Sequence, residues 1–198
     1  MRRLAAPVLA LVLAACAGTE IVSQWSDPAL ASVPFRKILV VFQNPDAGLR
    51  RGLEDEMARR IPRATPAYRV IADAEIRDVE KVKSKVRELG FDSVVVMRIV
   101  SVEKEQTYVP GTMHMVPSPY GRMYGGYWGY GWASVHEPGY LRTDRIVTLG
   151  TNVYAVADDR LVWATRSETY NPESMLKLVN DVVARNAEAA RKAIAKEK

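Results

Sequence analysis

Few side chains in this chain of 198 residues could do chemistry. Cys16 is the only thiol, and His114 and His136 are the only imidazoles. Thioether sulfur and imidazole meet in Met113-His114-Met115, a donor set that suits Cu(I), and Met123 and His136 lie in the same segment. The spacing matches no established metal motif, so a chance cluster in a loop is the plainer reading. Ser134 stands two residues before His136, but a triad needs a base that a third group orients, and sequence neighbours in a glycine-rich stretch do not supply that. Glu54, Asp55 and Glu56 are consecutive and point different ways on a helix; Asp55 and Arg59 read instead as an exposed i,i+4 pair. Asp158-Asp159 is turn chemistry. Gly125-Gly126 sit among aromatics with no basic residue after them, unlike a phosphate-binding loop. No catalytic residue and no cofactor are expected, and Met113, His114 and Met115 are the one weak metal candidate.

Cys16 has a different chemistry in view. Met1-Arg2-Arg3 is a basic start, Leu4 to Leu13 is an apolar run broken only by Pro7, and Leu13-Ala14-Ala15 closes it before Cys16. A basic n-region, an apolar h-region of about 7–15 residues and small residues before the cut make a secretory signal. The run is too short for a bilayer span, which needs about 20 residues. Leu13-Ala14-Ala15-Cys16 resembles the lipobox of bacterial lipoproteins. That resemblance implies a signal peptide over residues 1–15, a diacylglyceryl thioether on Cys16 and an amide-linked acyl chain such as palmitate on its freed amine. Two or more lipid signals anchor a chain stably without a transmembrane helix. Ala17 stands where an aspartate would favour inner-membrane retention, so the expected location is the outer membrane, facing the periplasm. Loss of Arg2 and Arg3 with the leader leaves 26 basic against 23 acidic residues. So mild a charge gives no support to a nucleic-acid role.

Residues 108–141 hold six of the nine tyrosines and two of the four tryptophans. Tyr120, Tyr124, Tyr127, Trp128, Tyr130 and Trp132 alternate with Gly121, Gly125, Gly126, Gly129 and Gly131, and Pro110, Pro117, Pro119 and Pro138 flank them. Long irregular insertions in compact domains are functional or disordered. Tyr and Trp offer large contact area with few rotors and a polar tip, which suits protein interfaces and sugar faces; phospholipid headgroups are a third fit. The six aromatics are the candidate partner contacts. A hairpin extension of the flanking strands would favour a contact surface over a mobile insertion.

The elements that must position these residues follow from periodicity. Residues 16–34 read as a lipidated tether, with Trp25 pinning it to the domain, and residues 35–198 as one domain. Ile38–Phe42 is a continuously apolar, buried strand. Asp46 caps a helix with Leu49, Leu53, Met57 and Ile61 on one face. Tyr68–Ala72 reads as a strand, and Asp73 as the cap of a second helix with Ile76, Val79, Val82, Val86 and Leu89 inward and Gly90 at C′. Lys81, Lys83, Lys85 and Arg87 cover its solvated side. Ser93–Val102, Arg145–Ala157 and Arg160–Tyr170 are further strands, with Val147, Leu149, Val153 and Ala155 on one face of the second. Asn171-Pro172 reads as N-cap and N1 of a last helix. The order β-α-β-α-β-β-β-α implies a single α/β (α+β) domain, a mixed sheet of about five strands covered by helices.

Several of these segments also resemble a group of small uncharacterised bacterial outer-membrane lipoproteins. The likeness lies in Trp25-Ser26-Asp27-Pro28, the strand Ile38–Phe42, the helix start Arg50-Arg51-Gly52-Leu53-Glu54-Asp55-Glu56, and Asp92-Ser93-Val94-Val95-Val96. It is strongest in Thr151-Asn152-Val153-Tyr154-Ala155-Val156, Leu161-Val162-Trp163-Ala164 and Ser167-Glu168-Thr169. It implies an α/β domain and no known activity. The expectation is a non-enzymatic, membrane-anchored envelope lipoprotein that scaffolds or binds through residues 108–141, with an envelope protein or glycan as partner. A periplasmic small-ligand or copper-binding module is the first alternative, and an enzyme of unspecified type the second.

Overall fold

The computed structural model describes residues 18–76, 78–118 and 131–196, and for 116–118 and 131–133 the backbone alone. Cys16 lies outside the described residues, as do Tyr120, Tyr124, Tyr127, Trp128 and Tyr130.

The chain runs β1 (Thr19–Ser26), β2 (Ile38–Gln43), α1 (Ala47–Arg60), β3 (Ala64–Pro66), α2 (Val79–Glu88), β4 (Ser93–Val109), β5 (Thr112–Ser118), β6 (Gly131–Glu137), β7 (Tyr140–Ala155), β8 (Arg160–Tyr170) and α3 (Met175–Lys196). Six strands form one mixed sheet in the order β1-β8-β7-β4-β2-β3, and β5 and β6 form a separate ribbon. The α/β class stands, with one strand more in the main sheet than the periodicity gives.

Ile38–Phe42 is apolar throughout because both its faces are covered. Ile38, Val40 and Phe42 pack with Leu53 and Met57 of α1 and Leu178, Val179 and Val182 of α3. Leu39 faces the other way, with Ala67, Ile71, Val86 of α2 and Phe91. The two parallel partners of β2, β3 and β4, lie on its opposite sides. Right-handed crossovers to opposite sides place their helices on opposite faces. Val147, Leu149, Val153 and Ala155 share the buried face of β7, joined by Thr151.

Four local expectations are corrected. The tether is largely strand: Thr19–Ser26 pairs antiparallel with β8. An edge strand exposed over most of its length carries no apolar alternation, so only the backbone ladder reveals it. Trp25 on that strand is half exposed and pairs through its backbone with Ala164 of β8. The strand read at 68–72 is instead Ala64–Pro66, followed by a 3-10 turn at Ala67–Arg69. Helix α2 is capped by Asp78, whose side chain accepts the Lys81 N–H at 3.2 Å, not by Asp73. Its exposed basic side is nonetheless paired, with Lys85 on Glu75 and both Lys83 and Arg87 on Asp159. Finally, Ser174 rather than Asn171 caps α3, accepting the Lys177 N–H at 3.1 Å. Asn171 sits at φ +48° and accepts the Arg145 N–H. Gly90 at φ +71° is the left-handed residue after α2, as its position implies.

Candidate functional site

Two places bring together side chains with chemical potential. The first is a crevice at the C-terminal end of β2, where the chain steps to β3 on one side and β4 on the other. Ligands in open α/β sheets gather at such switch points. The crevice encloses about 480 Å³ between Phe42, Asn44, Pro45, Arg50, Asp73 and Ile76.

Arg50 and Asp73, which line it, belong to a charge network centred on Glu54. Glu54 is fully buried on α1. It accepts the Phe42 N–H at 3.2 Å and the Tyr68 N–H at 2.9 Å, with Arg50 Nη1 at 3.7 Å. Arg50, also buried, bonds Asp73 through Nη2, and Arg51 reaches the other Asp73 oxygen at 2.8 Å. Burial lifts the Glu54 carboxyl above its ordinary value, against the pull of the two N–H donors and Arg50. The Arg51 and Arg50 hydrogen bonds hold Asp73 below its ordinary value. Asp55 is not paired with Arg59. It accepts the Tyr68 hydroxyl at 2.9 Å and Arg69 at 3.0 Å, while Arg59 pairs with Glu56. Residues four apart on a helix are neighbours, but partners off the helix compete for the same carboxylate. The i,i+4 spacing of Arg50 and Glu54 could have found half of this network; the burial and the two N–H donors could not be read.

The second place is the projecting hairpin. β4 and β7 stay paired to Val109–Tyr140, whereas β8 ends opposite Ile146 and β2 opposite Arg98. Beyond those rows the two strands form a stem that has no lateral strand neighbour among the described residues. At its end Gly111 and Gly139 turn the chain into β5–β6. A Cβ on Gly111 would stand 2.3 Å from the Glu137 carbonyl oxygen, and one on Gly139 2.9 Å from that of Val109, so both positions need glycine. In the ribbon Met113 faces His136, His114 faces Val135, and Met115 faces Ser134. Strand alternation therefore separates Met113-His114-Met115. Met113, Met115 and His136 share one side. His114 lies on the other, where its ring nitrogen is 3.1 Å from the Thr112 hydroxyl. Ser134 and His136 share a side, and among the described residues no carboxylate is placed to orient the ring. Among the described residues no group of three or more His, Cys, Asp or Glu could hold a metal ion. Trp132 is placed by backbone register opposite Pro117.

No family model matches the chain, and no curated protein does. The chain is similar at low identity to solved structures, two of them as follows. A PelC dodecamer from Paraburkholderia phytofirmans is 16% identical, with 85% of this chain and 94% of that one covered, at a TM-score of 0.42. A single-site variant of that dodecamer is 12% identical, covering 85% and 93%, also at 0.42. Likeness of that degree has no bearing on the role or assembly of this chain.

Proposed function

We propose that this chain is a non-enzymatic lipoprotein, anchored through Cys16 to the periplasmic side of the outer membrane, that binds an envelope protein or glycan through its aromatic-glycine segment. The observation that carries this reading is the paired stem and ribbon. The backbone of 112–118 is zipped to that of 131–137, so the two flanks of the aromatic segment leave the stem as one paired ribbon. Flanks that are already paired lower the ordering cost of binding at the segment they bracket. The crevice supports the non-catalytic part of the reading. The carboxylate that lines it, Asp73, is already taken by two guanidinium groups, and the buried Glu54 beside Arg50 by two backbone N–H groups.

The test is crosslinking in intact cells followed by mass spectrometry of the captured species. The parent should incorporate labelled palmitate and give one dominant adduct. Cys16→Ser should lose the label, and joint replacement of Tyr127, Trp128 and Trp132 by serine should lose the adduct while keeping it. An unlabelled parent removes the anchor; an adduct that survives the triple change removes the contact surface.

A second reading rests on the ribbon register. Two thioethers and one imidazole on one side of a two-stranded ribbon form a trigonal soft-donor set for Cu(I). Cross-strand neighbours stand about 5 Å apart at Cβ, within reach of a shared ion. On this reading His136 replaces His114 as the nitrogen ligand. Titration with Cu(I) under a competing chelator should give one equivalent bound, lost in Met115→Leu and His136→Ala and kept in His114→Ala. Loss in His114→Ala, or no binding by the parent, removes it.

A further inference from the structure

The short lead between Cys16 and β1, together with the direction of the stem, assigns the stem a contact. We infer that its cationic-apolar side lies against the phospholipid bilayer that holds the anchor. The inference rests on Cys16 being lipidated, as proposed above.

Thr19 pairs with Thr169, Thr169 with Val147, and Val147 with Val102. Those four residues form one row across the sheet. β1 runs away from that row, so the chain before Thr19 enters from the end where the stem projects. Only Ala17 and Gly18 separate Cys16 from Thr19, a span of at most about 11 Å. The stem, Glu103–Val109 against Tyr140–Ile146, rises about 23 Å beyond the same row at the usual strand repeat. β1 and β7 are two strand spacings apart, about 10 Å. A bilayer lying across this end of the sheet at the limit of so short a lead meets the stem before the stem ends. With the long tether read from the sequence, the domain could have stood clear of the membrane; with two residues of lead it cannot stand clear at this end.

The stem's side chains fit that contact on one side. Alternation puts Val102, Lys104, Gln106 and Tyr108 together with Leu141, Thr143 and Arg145. Tyr108 and Leu141 are directly opposed and exposed by 63% and 65%, and Val102 by 54%. This side carries no acidic residue. Glu103, Glu105 and Asp144 all fall on the other side, where Asp144 is held by Arg142 and Asn171. An aromatic and a leucine flanked by lysine and arginine match the boundary between headgroups and acyl chains, tyrosine at headgroup level and cations towards anionic lipid. The opposite side, rich in carboxylates, would be repelled by the same surface.

The experiment uses full-length lipidated protein in vesicles of phosphatidylethanolamine and phosphatidylglycerol. Leu141→Cys on the stem and Asp158→Cys in the β7–β8 turn, at the far end of the sheet, each receive an environment-sensitive fluorophore; both positions are exposed. Anchored protein should float with the vesicles. The probe at position 141 should shift to shorter wavelength and be quenched several-fold more by spin-labelled lipid than the probe at 158. Protein that floats with both probes equally unquenched overturns the stem contact and leaves the anchor standing. Protein that does not float, with Cys16 unmodified by mass, overturns the anchor and the contact with it.

Discussion

Glu54→Ala is expected to lower the unfolding free energy by about 3–5 kcal/mol, the cost of breaking a buried ion pair by removing one partner. Domains of this kind are stable by about 5–15 kcal/mol, so the change removes a large share of the total. Three groups are stranded at once. The Phe42 and Tyr68 N–H groups lose their acceptor, and Arg50, only 5% exposed, loses the carboxylate beside Nη1. Glu54→Gln keeps the shape, and its oxygen still accepts one N–H, but its amide nitrogen cannot accept the other. Its cost is about 1–3 kcal/mol, that of one unsatisfied buried donor. Urea unfolding at fixed pH should show both as lower midpoints at unchanged slope.

The pH profile separates the carboxylate from its shape. Burial sets the folded Glu54 value above the unfolded 4.5. Between the two values the native state holds the extra proton, so this group's contribution is complete below 4.5 and is lost as pH rises through the raised folded value. Asp73 acts in the opposite sense. Arg51 and Arg50 hold it below 3.8, so its contribution is present above 3.8 and is lost as pH falls through the lowered value. Glu54→Gln should therefore flatten the decline on the alkaline side of 4.5 and leave the acid limb unchanged. Profiles of parent and variant that run parallel throughout would show that Glu54 titrates alike in both states and would remove this account.

Trp163 should give two sharply different results at one position. It is 2% exposed and lines an apolar cavity of about 140 Å³ with Met97, Val153, Val183 and Asn186. Trp163→Ala enlarges that cavity by most of an indole and should cost about 3–5 kcal/mol. Its Nε1, however, is buried without a hydrogen-bond partner among the described residues, unlike Asn186, which bridges the Thr165 and Thr151 hydroxyls at 3.1 and 2.9 Å. Trp163→Phe removes that unsatisfied donor together with part of the ring. The gain of about 1–3 kcal/mol from the first offsets the lost packing of the second, and the variant should melt close to the parent. A phenylalanine variant as damaged as the alanine one would mean that the indole nitrogen is well partnered.

The sequence by itself determined the layers. A continuous apolar run such as Ile38–Phe42 can be buried on both faces only between helices, and the four-residue spacing of Leu53 and Met57 supplies the helix. Gly90 and the buried face of β7 were legible for the same reason, since each is a local demand of backbone or pleat. What the tertiary structure alone decided is whatever depends on a partner distant in sequence. β1 exists because β8 offers an open edge, not because Thr19–Ser26 is patterned as a strand. Glu54 is buried because Phe42 and Tyr68 bring N–H groups to it from two other elements. Met113 shares a side with His136 rather than with His114 because cross-strand register, invisible in spacing, overrides sequence adjacency.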